Sequence, residues 1–161
     1  MKKIIQKGNG EFMIKFKQIT KKNFGECIKI ETGIDEKYLP PIVYQIALSY
    51  IFPSKIPLAI YEEDELIGFV SYEIDVSPDI AYDILVFVID KNKQGKGKGT
   101  LAFNAFIDYL AEFDDCNLIT LNYNKENKAA EKLYKGSGFK RTGMINKDNN
   151  EIIMRLDVNK R

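Results

Sequence analysis

A chain of 161 residues with 45% hydrophobic and 29% charged side chains can hold one domain with a substantial core, and is too short for two ordinary ones. No apolar run reaches the length of a membrane span, the lysine-bearing start lacks the apolar stretch of a secretory signal, and a net charge of +1 points to no nucleic-acid or membrane partner. Cys27 and Cys116 are too few for a disulfide framework, and the absence of histidine excludes the usual zinc sites and histidine-based triads, so no metal is expected and proton work falls to Asp, Glu, Tyr, Lys, Cys or water.

Charge is unevenly placed. Residues 1–22 carry seven lysines against one acid, Glu11, and residues 62–90 carry nine acids and no Lys or Arg. Lys91, Lys93, Lys96 and Lys98 then follow within eight positions. Such a reversal suggests two neighbouring subsites of opposite sign, or else solvated faces. The compartment that suits this composition is the cytoplasm.

Residues 1–12 read as an unstructured extension. Gly10-Glu11 can be encoded by a purine-rich stretch of ribosome-binding type, so translation is expected to begin at Met13 and residues 13–161 to form a single domain. "MIKFKQIT" (13–20) alternates as a strand. Residues 23–31 and 41–52 read as short helices around the bend "TGIDEKYLPP", with Pro40-Pro41 starting the second. "PLAIYEEDELIGFVSYEIDV" reads as a hairpin: a strand through Tyr61, a polar turn "EEDE", then a strand from Leu66. In that second strand Val70, Tyr72, Ile74 and Val76 should face one way and Ser71, Glu73 and Asp75 the other. "YDILVFVID" is a near-continuous apolar run, as in a strand covered on both faces. Residues 98–113 space their apolar side chains as a helix does, "NLITLNY" is a strand, and a helix from Asn127 ends at Gly136. Two strands, from Phe139 and through "EIIMRLDV", complete the chain. This order predicts an α/β layer of α+β type, with a mixed, mostly antiparallel sheet of about six to seven strands flanked by about four helices.

"QGKGKGT" (94–100) follows a strand and opens a helix. A turn of this kind directs successive backbone N–H groups outward, the helix N-terminus adds its positive dipole end, and glycine admits a ligand close to the backbone. The expected guest is a pyrophosphate, with a plain basic turn as the rival reading. Neither the P-loop nor the dinucleotide fingerprint fits. What fits is Q-x-x-G-x-G at Gln94, Gly97 and Gly99. About thirty residues on, "NKAAEKLYKGSGF" carries N-x-x-A-x-x-x-Y-x-x-x-G-F from Asn127.

With these two motifs the chain resembles the GNAT superfamily of acetyl-CoA-dependent N-acetyltransferases. "IDKNKQGKGKGT", "LAEFDDC" and "ENKAAEKLYKGSGF" look most like its bacterial diamine and polyamine enzymes. The resemblance implies that the backbone of Phe87, Val88 and Ile89 binds the pantetheine arm of acetyl-CoA. The N–H groups from Gly95 through Lys96, Gly97, Lys98 and Gly99 to Thr100, beside Gln94, would hold the pyrophosphate, with Lys96 and Lys98 adding charge. Asn127 and Ala130 would flank the cofactor, and Tyr134 would lie near the sulfur. Two positions depart from the family pattern: Lys93 stands where an aromatic residue is usual, and Lys98 where an aliphatic one is.

Tyr134 is the candidate general acid for the thiolate, or a core tyrosine beside Leu133. Asp83, the only charge within "AYDILVFVI", is the candidate base, or only an orienting carboxylate. Glu73, Asp75 and Asp79 could attract a cationic amine or form a solvated strand face. Glu31, Asp35, Glu36 and Tyr38 fall where this fold builds its acceptor wall. Both cysteines read as packing residues. The implied reaction is acetyl transfer to a primary amine, with a small diamine or polyamine as acceptor. The alternatives are an acetyltransferase for a protein N-terminus, peptide or aminoglycoside, and a non-catalytic acyl-CoA-binding sensor. Dimers are common in this fold, so a homodimer is the assembly to look for.

Overall fold

The computed structural model describes residues 6–7, 13–36, 38–75 and 81–160. The elements run β1 (Gln6–Lys7), β2 (Met13–Gln18), α1 (Phe24–Cys27), α2 (Ile42–Ile51), β3 (Lys55–Glu62), β4 (Glu65–Asp75), β5 (Ala81–Ile89), α3 (Lys98–Ala111), β6 (Leu118–Tyr123), α4 (Lys128–Gly136), β7 (Lys140–Ile145) and β8 (Ile152–Asp157). The strands form one sheet in the order β1-β2-β3-β4-β5-β6-β8-β7, antiparallel except for β5–β6. This is the expected α+β architecture, with the short β1 added at the edge. Gln6–Lys7 pairs with Met13–Ile14, while the proposed start at Met13 concerns a segment mostly outside the described residues. No helix among the described residues is long and apolar enough to cross a membrane.

Two helices are shorter than the sequence predicts. The helix expected over 23–31 is a single turn, Phe24–Cys27, because β-branched Ile28, Ile30 and Thr32 disfavour its continuation. The helix expected over 41–52 spans Ile42–Ile51, entered from Pro41.

Amphipathic α3 packs on one sheet face. Its Phe103, Phe106, Ile107 and Leu110 are fully buried with Ile14, Ile60, Val70 and Tyr72. The opposite face is covered in part by Ile30 of the connection after α1 and Ile42 of α2, which pack on Phe69, Val86 and Val88. The alternation expected for β4 holds for Val70, Tyr72 and Ile74, whereas Val76 lies outside the described residues. Its other side is less polar than expected, since Phe69 and Ser71 are both buried.

Two irregularities in the sheet create the site. Ser71 pairs with Val86 but Tyr72 pairs with Ile84, so Leu85 is an extra residue in β5. This bulge reverses the strand's facing: Tyr82 and Ile84 join the α3-side core, whereas Val86 and Val88 turn to the other side. The parallel pairing of β5 with β6 covers only Ala81–Ile84 against Leu118–Leu121. Beyond it the strands separate, and among the described residues no strand pairs with the open edge of Leu85–Ile89 in β5.

Candidate active site

The gap between β5 and β6 opens into a cleft of about 420 Å³. Phe87, Val88 and Ile89 form one wall, Gln94 through Thr100 the end over α3, and Asn127, Ala130 and Tyr134 of the α4 region the other wall. Residues over forty positions apart in sequence thus line one cleft. Lys96 is the one residue of the 94–100 loop that does not line the cleft.

Strand parity decides which backbone groups are available. Asp90 N–H bonds the Ile67 carbonyl beside β4. Alternation along β5 therefore turns Val88 towards β4 as well, and Phe87 and Ile89 towards the open edge. Val88 lines the cleft with its backbone groups turned to β4, so the backbone of Phe87 and Ile89 is what reaches the open edge. The Ile89 carbonyl on the open edge already accepts from Gln94 Nε2 at 3.1 Å, so Gln94 shapes the loop.

Gly95, Lys96 and Gly97 have φ of 105°, 50° and 76°, three successive left-handed residues. A Cβ added at Gly95 or Gly97 would meet nothing within 4 Å, so these glycines are required by backbone conformation rather than by crowding. Gly97 caps α3 with no side-chain acceptor. Lys98 N–H turns back to the Gly95 carbonyl and Leu101 N–H to that of Gly97, which leaves the Gly99 and Thr100 N–H groups of the first turn for an external anion. This cradle fits a pyrophosphate.

The lysines do not fit the same reading. Lys98 Nζ lies 2.5 Å from Glu62, Lys93 is ion-paired with Glu65, and Lys91 with Glu31. The block of positive charge is largely matched by carboxylates of neighbouring elements and does not form a separate basic subsite.

Asn127 caps α4, accepting from Ala130 N–H at 3.0 Å, so Oδ1 is committed and the amide NH2 is the group it can offer the cleft. Tyr134 packs on Phe103 (5.2 Å) and Tyr123 (5.9 Å), and Phe103 also meets Phe87 at 5.0 Å. Phe103 therefore spaces the tyrosine from the strand edge. Burial, reinforced by the Glu151 charge, pushes Tyr134 up to about 12. The phenol is protonated throughout the neutral range and can serve as a proton donor.

Asp83 lies outside the cleft. It lines a second cavity of about 690 Å³ with Ser54, Glu73, Asp75, Thr120 and Asn122. Asp83 faces Glu73 across β4 and Thr120 across β6, and Thr120 Oγ1 donates to its carboxylate at 2.8 Å. Its pKa is raised, by burial first and then by Glu73 and Asp75, against the Thr120 hydrogen bond and Lys55. Burial also opposes the Glu73 charge, but hydrogen bonds from Lys55 (2.7 Å) and Ser54 (2.7 Å) outweigh it, and Glu73 is lowered. The cavity is thus lined by three carboxylates, of which Glu73 is paired with Lys55. Asp79 lies outside the described residues. Glu36 and Tyr38 are exposed on the α1–α2 connection and line neither cavity; from that connection Thr32 and Ile34 reach the cleft instead. No periodicity marks those two. Ala129 and Leu133 also line it, each one position before a motif residue, Ala130 and Tyr134. Cys27 and Cys116 are buried, their thiols pushed up by burial to about 11 and about 12, which fits packing roles.

Compared with known proteins, residues 24–139 match the acetyltransferase (GNAT) family. The chain is 30% identical over 132 residues to a spermine/spermidine N(1)-acetyltransferase of Bacillus subtilis strain 168, covering 70% of this chain and 86% of that one. It superposes with a TM-score of 0.71 on the spermidine N-acetyltransferase of Vibrio cholerae solved with CoA and spermine, at 18% identity over 91% of this chain and 96% of the other. An aminoglycoside acetyltransferase solved with coenzyme A and kanamycin gives a TM-score of 0.73 at 17% identity, over 89% and 94% of the two chains. At such identities these structural likenesses establish the fold alone.

Proposed function

The chain belongs to the GNAT family of acetyl-CoA-dependent N-acetyltransferases, and on that premise we propose that its acceptor is a primary amine of a small diamine or polyamine, acetylated by direct attack in a ternary complex. The observation that carries this reading is the acidic cavity of Glu73, Asp75 and Asp83, which shares strand β5 with the cleft. A multiply charged amine entering there meets carboxylates before it reaches the open edge of β5.

Acetyl-CoA supplies the acyl group as a thioester. The protein must provide a neutral amine, a polarised carbonyl and a proton for the leaving sulfur. Neutralising an alkylamine of pKa about 10.4 near pH 7 costs about 4–5 kcal/mol. Asp83 and Phe87 are separated by roughly 13 Å of extended chain, so Asp83 takes the ammonium proton through intervening waters. The Phe87 and Ile89 N–H groups, turned to the open edge, are the donors for developing charge on the carbonyl oxygen. Tyr134 gives its proton to the sulfur.

The test is initial-rate CoA release with spermine, spermidine, putrescine, an N-terminal peptide and an aminoglycoside. The reading expects the highest kcat/KM for a polyamine and a KM for it that rises with salt as the carboxylates are screened. Preference for the peptide or the aminoglycoside would overturn it. For assembly the reading is a homodimer. Residues 39–53 carry no charge, and Val43, Tyr44, Tyr50 and Ile51 of α2 are exposed. Sedimentation as a monomer at micromolar concentration would refute that part.

A further inference from the structure

The acidic and basic blocks on either side of residue 90 meet in three dimensions. The β3–β4 turn reads Glu62-Glu63-Asp64-Glu65, and each of its carboxylates has a partner. Glu62 pairs with Lys98 at 2.5 Å, Asp64 with Lys15 at 3.3 Å, Glu65 with Lys93, and Glu63 accepts from Met13 N–H at 2.8 Å. Lys93 and Lys98 of the basic block thus each meet a carboxylate at an end of this turn.

We propose that Lys98 is a positioning residue for coenzyme binding rather than a ligand of the phosphates, and that Glu62 is its functional partner. The proposal rests on the reading of residues 95–100 as the acetyl-CoA cradle. Glu62 is held by the pairing of β3 with Ile14 and Glu65, and its side chain is only 9% exposed. Lys98 is the first residue of α3, and its side chain, 24% exposed, reaches back to the carboxylate. The loop's own bonds, from Gln94 Nε2 to the Ile89 carbonyl and from the Lys98 and Leu101 N–H groups to the Gly95 and Gly97 carbonyls, fix its turn. The Lys98–Glu62 pair ties that turn, and with it the Gly99 and Thr100 N–H groups, to the end of β3. Lys98 also neutralises a carboxylate that would otherwise stand unpaired beside an anion site. Were its ammonium to leave for a phosphate, Glu62 would remain as a buried unpaired charge.

Calorimetric titration of acetyl-CoA into the wild type, Glu62→Ala, Lys98→Ala and the double variant separates the two roles. The expected result is that each single variant weakens Kd about tenfold and that the double is no weaker than Lys98→Ala, because one interaction is lost in every case. KM for acetyl-CoA should rise in step, with kcat at saturating acetyl-CoA within about twofold of wild type. A phosphate ligand would behave otherwise: Glu62→Ala would bind as tightly as wild type or tighter, and Lys98→Ala would flatten the dependence of Kd on salt. Either outcome overturns the proposal. If an alanine variant does not fold, the near-isosteric Glu62→Gln decides: several-fold weaker binding supports the pair and unchanged binding refutes it. A wild type that binds no acetyl-CoA would instead refute the cradle reading itself.

Discussion

Asp83 and Tyr134 are both raised by burial, with opposite consequences for catalysis. The phenol becomes a secure proton store, pushed up to about 12, whereas the carboxylate must ionise against its surroundings to act as a base. Tyr134→Phe should lower kcat by about 10²-fold or more while acetyl-CoA Kd stays within about threefold, measured by steady-state kinetics and calorimetry. Asp83→Asn should lower kcat and remove the acid limb of the pH–rate profile, because the working form is the carboxylate and the limb lies above the ordinary Asp range. Its effect on stability has the opposite sign. A folded-state pKa above the unfolded value means that the native state holds the proton more tightly, so stability falls as pH rises through that window. Asp83→Asn, whose amide oxygen can still accept from Thr120, should therefore melt higher than wild type at pH 7. The difference should vanish below about pH 3.8, as thermal scans at the two pH values would show.

Loop 94–100 and strand β4 use glycine for different reasons, and substitution should separate them. Gly97 has φ 76°, and a Cβ there would stand in open space. Valine at this position should cost about 1–2 kcal/mol of backbone strain and place a branched side chain at the mouth of the cradle, weakening acetyl-CoA Kd at least about fivefold. Gly68 has an ordinary φ but no room: a Cβ would lie 2.3 Å from the Val88 carbonyl oxygen and 3.1 Å from Ile89 Cδ1. Gly68→Ala must push β4 off the segment that forms the cleft wall. Overpacking of this kind costs about 1–3 kcal/mol, so its melting temperature should fall by several degrees, more than that of Gly97→Ala. The sequence marks Gly97 through its motif. Nothing local marks Gly68, because its constraint is a neighbouring strand's backbone.

Across the whole molecule, the sheet is held together on the α3 side and parted at the β5–β6 gap. A ligand seated there bridges the two halves, binds only the folded chain and so stabilises it. At acetyl-CoA 100-fold above Kd the gain should be about 2.7 kcal/mol, a rise in melting temperature of roughly 5–11 °C for a chain of this size. Gly97→Val should show a smaller shift at the same concentration. The same view explains the charge pattern. Opposite blocks in the sequence suggested two subsites, but Glu62 and Glu65 meet Lys98 and Lys93, and the acidic cavity is built instead from Glu73, Asp75 and Asp83.

By itself the sequence determined the order of the main elements and the family, and it singled out the 94–100 loop as the candidate cradle. Strand and helix periods, the Gln94–Gly99 motif and the Asn127–Phe139 pattern are local properties of the chain, set by backbone geometry and side-chain spacing. It determined the residue types at the site but not their orientation. Only the tertiary structure decided that Leu85 is a bulge, that Phe87 and Ile89 rather than Val88 face the open edge, and that Asp83 opens into a cavity separate from Tyr134. It also decided that Lys98 answers to Glu62. The physical reason is the same in each case: strand register and ion pairing depend on which distant segment lies alongside, and a shift of one residue exchanges the two faces.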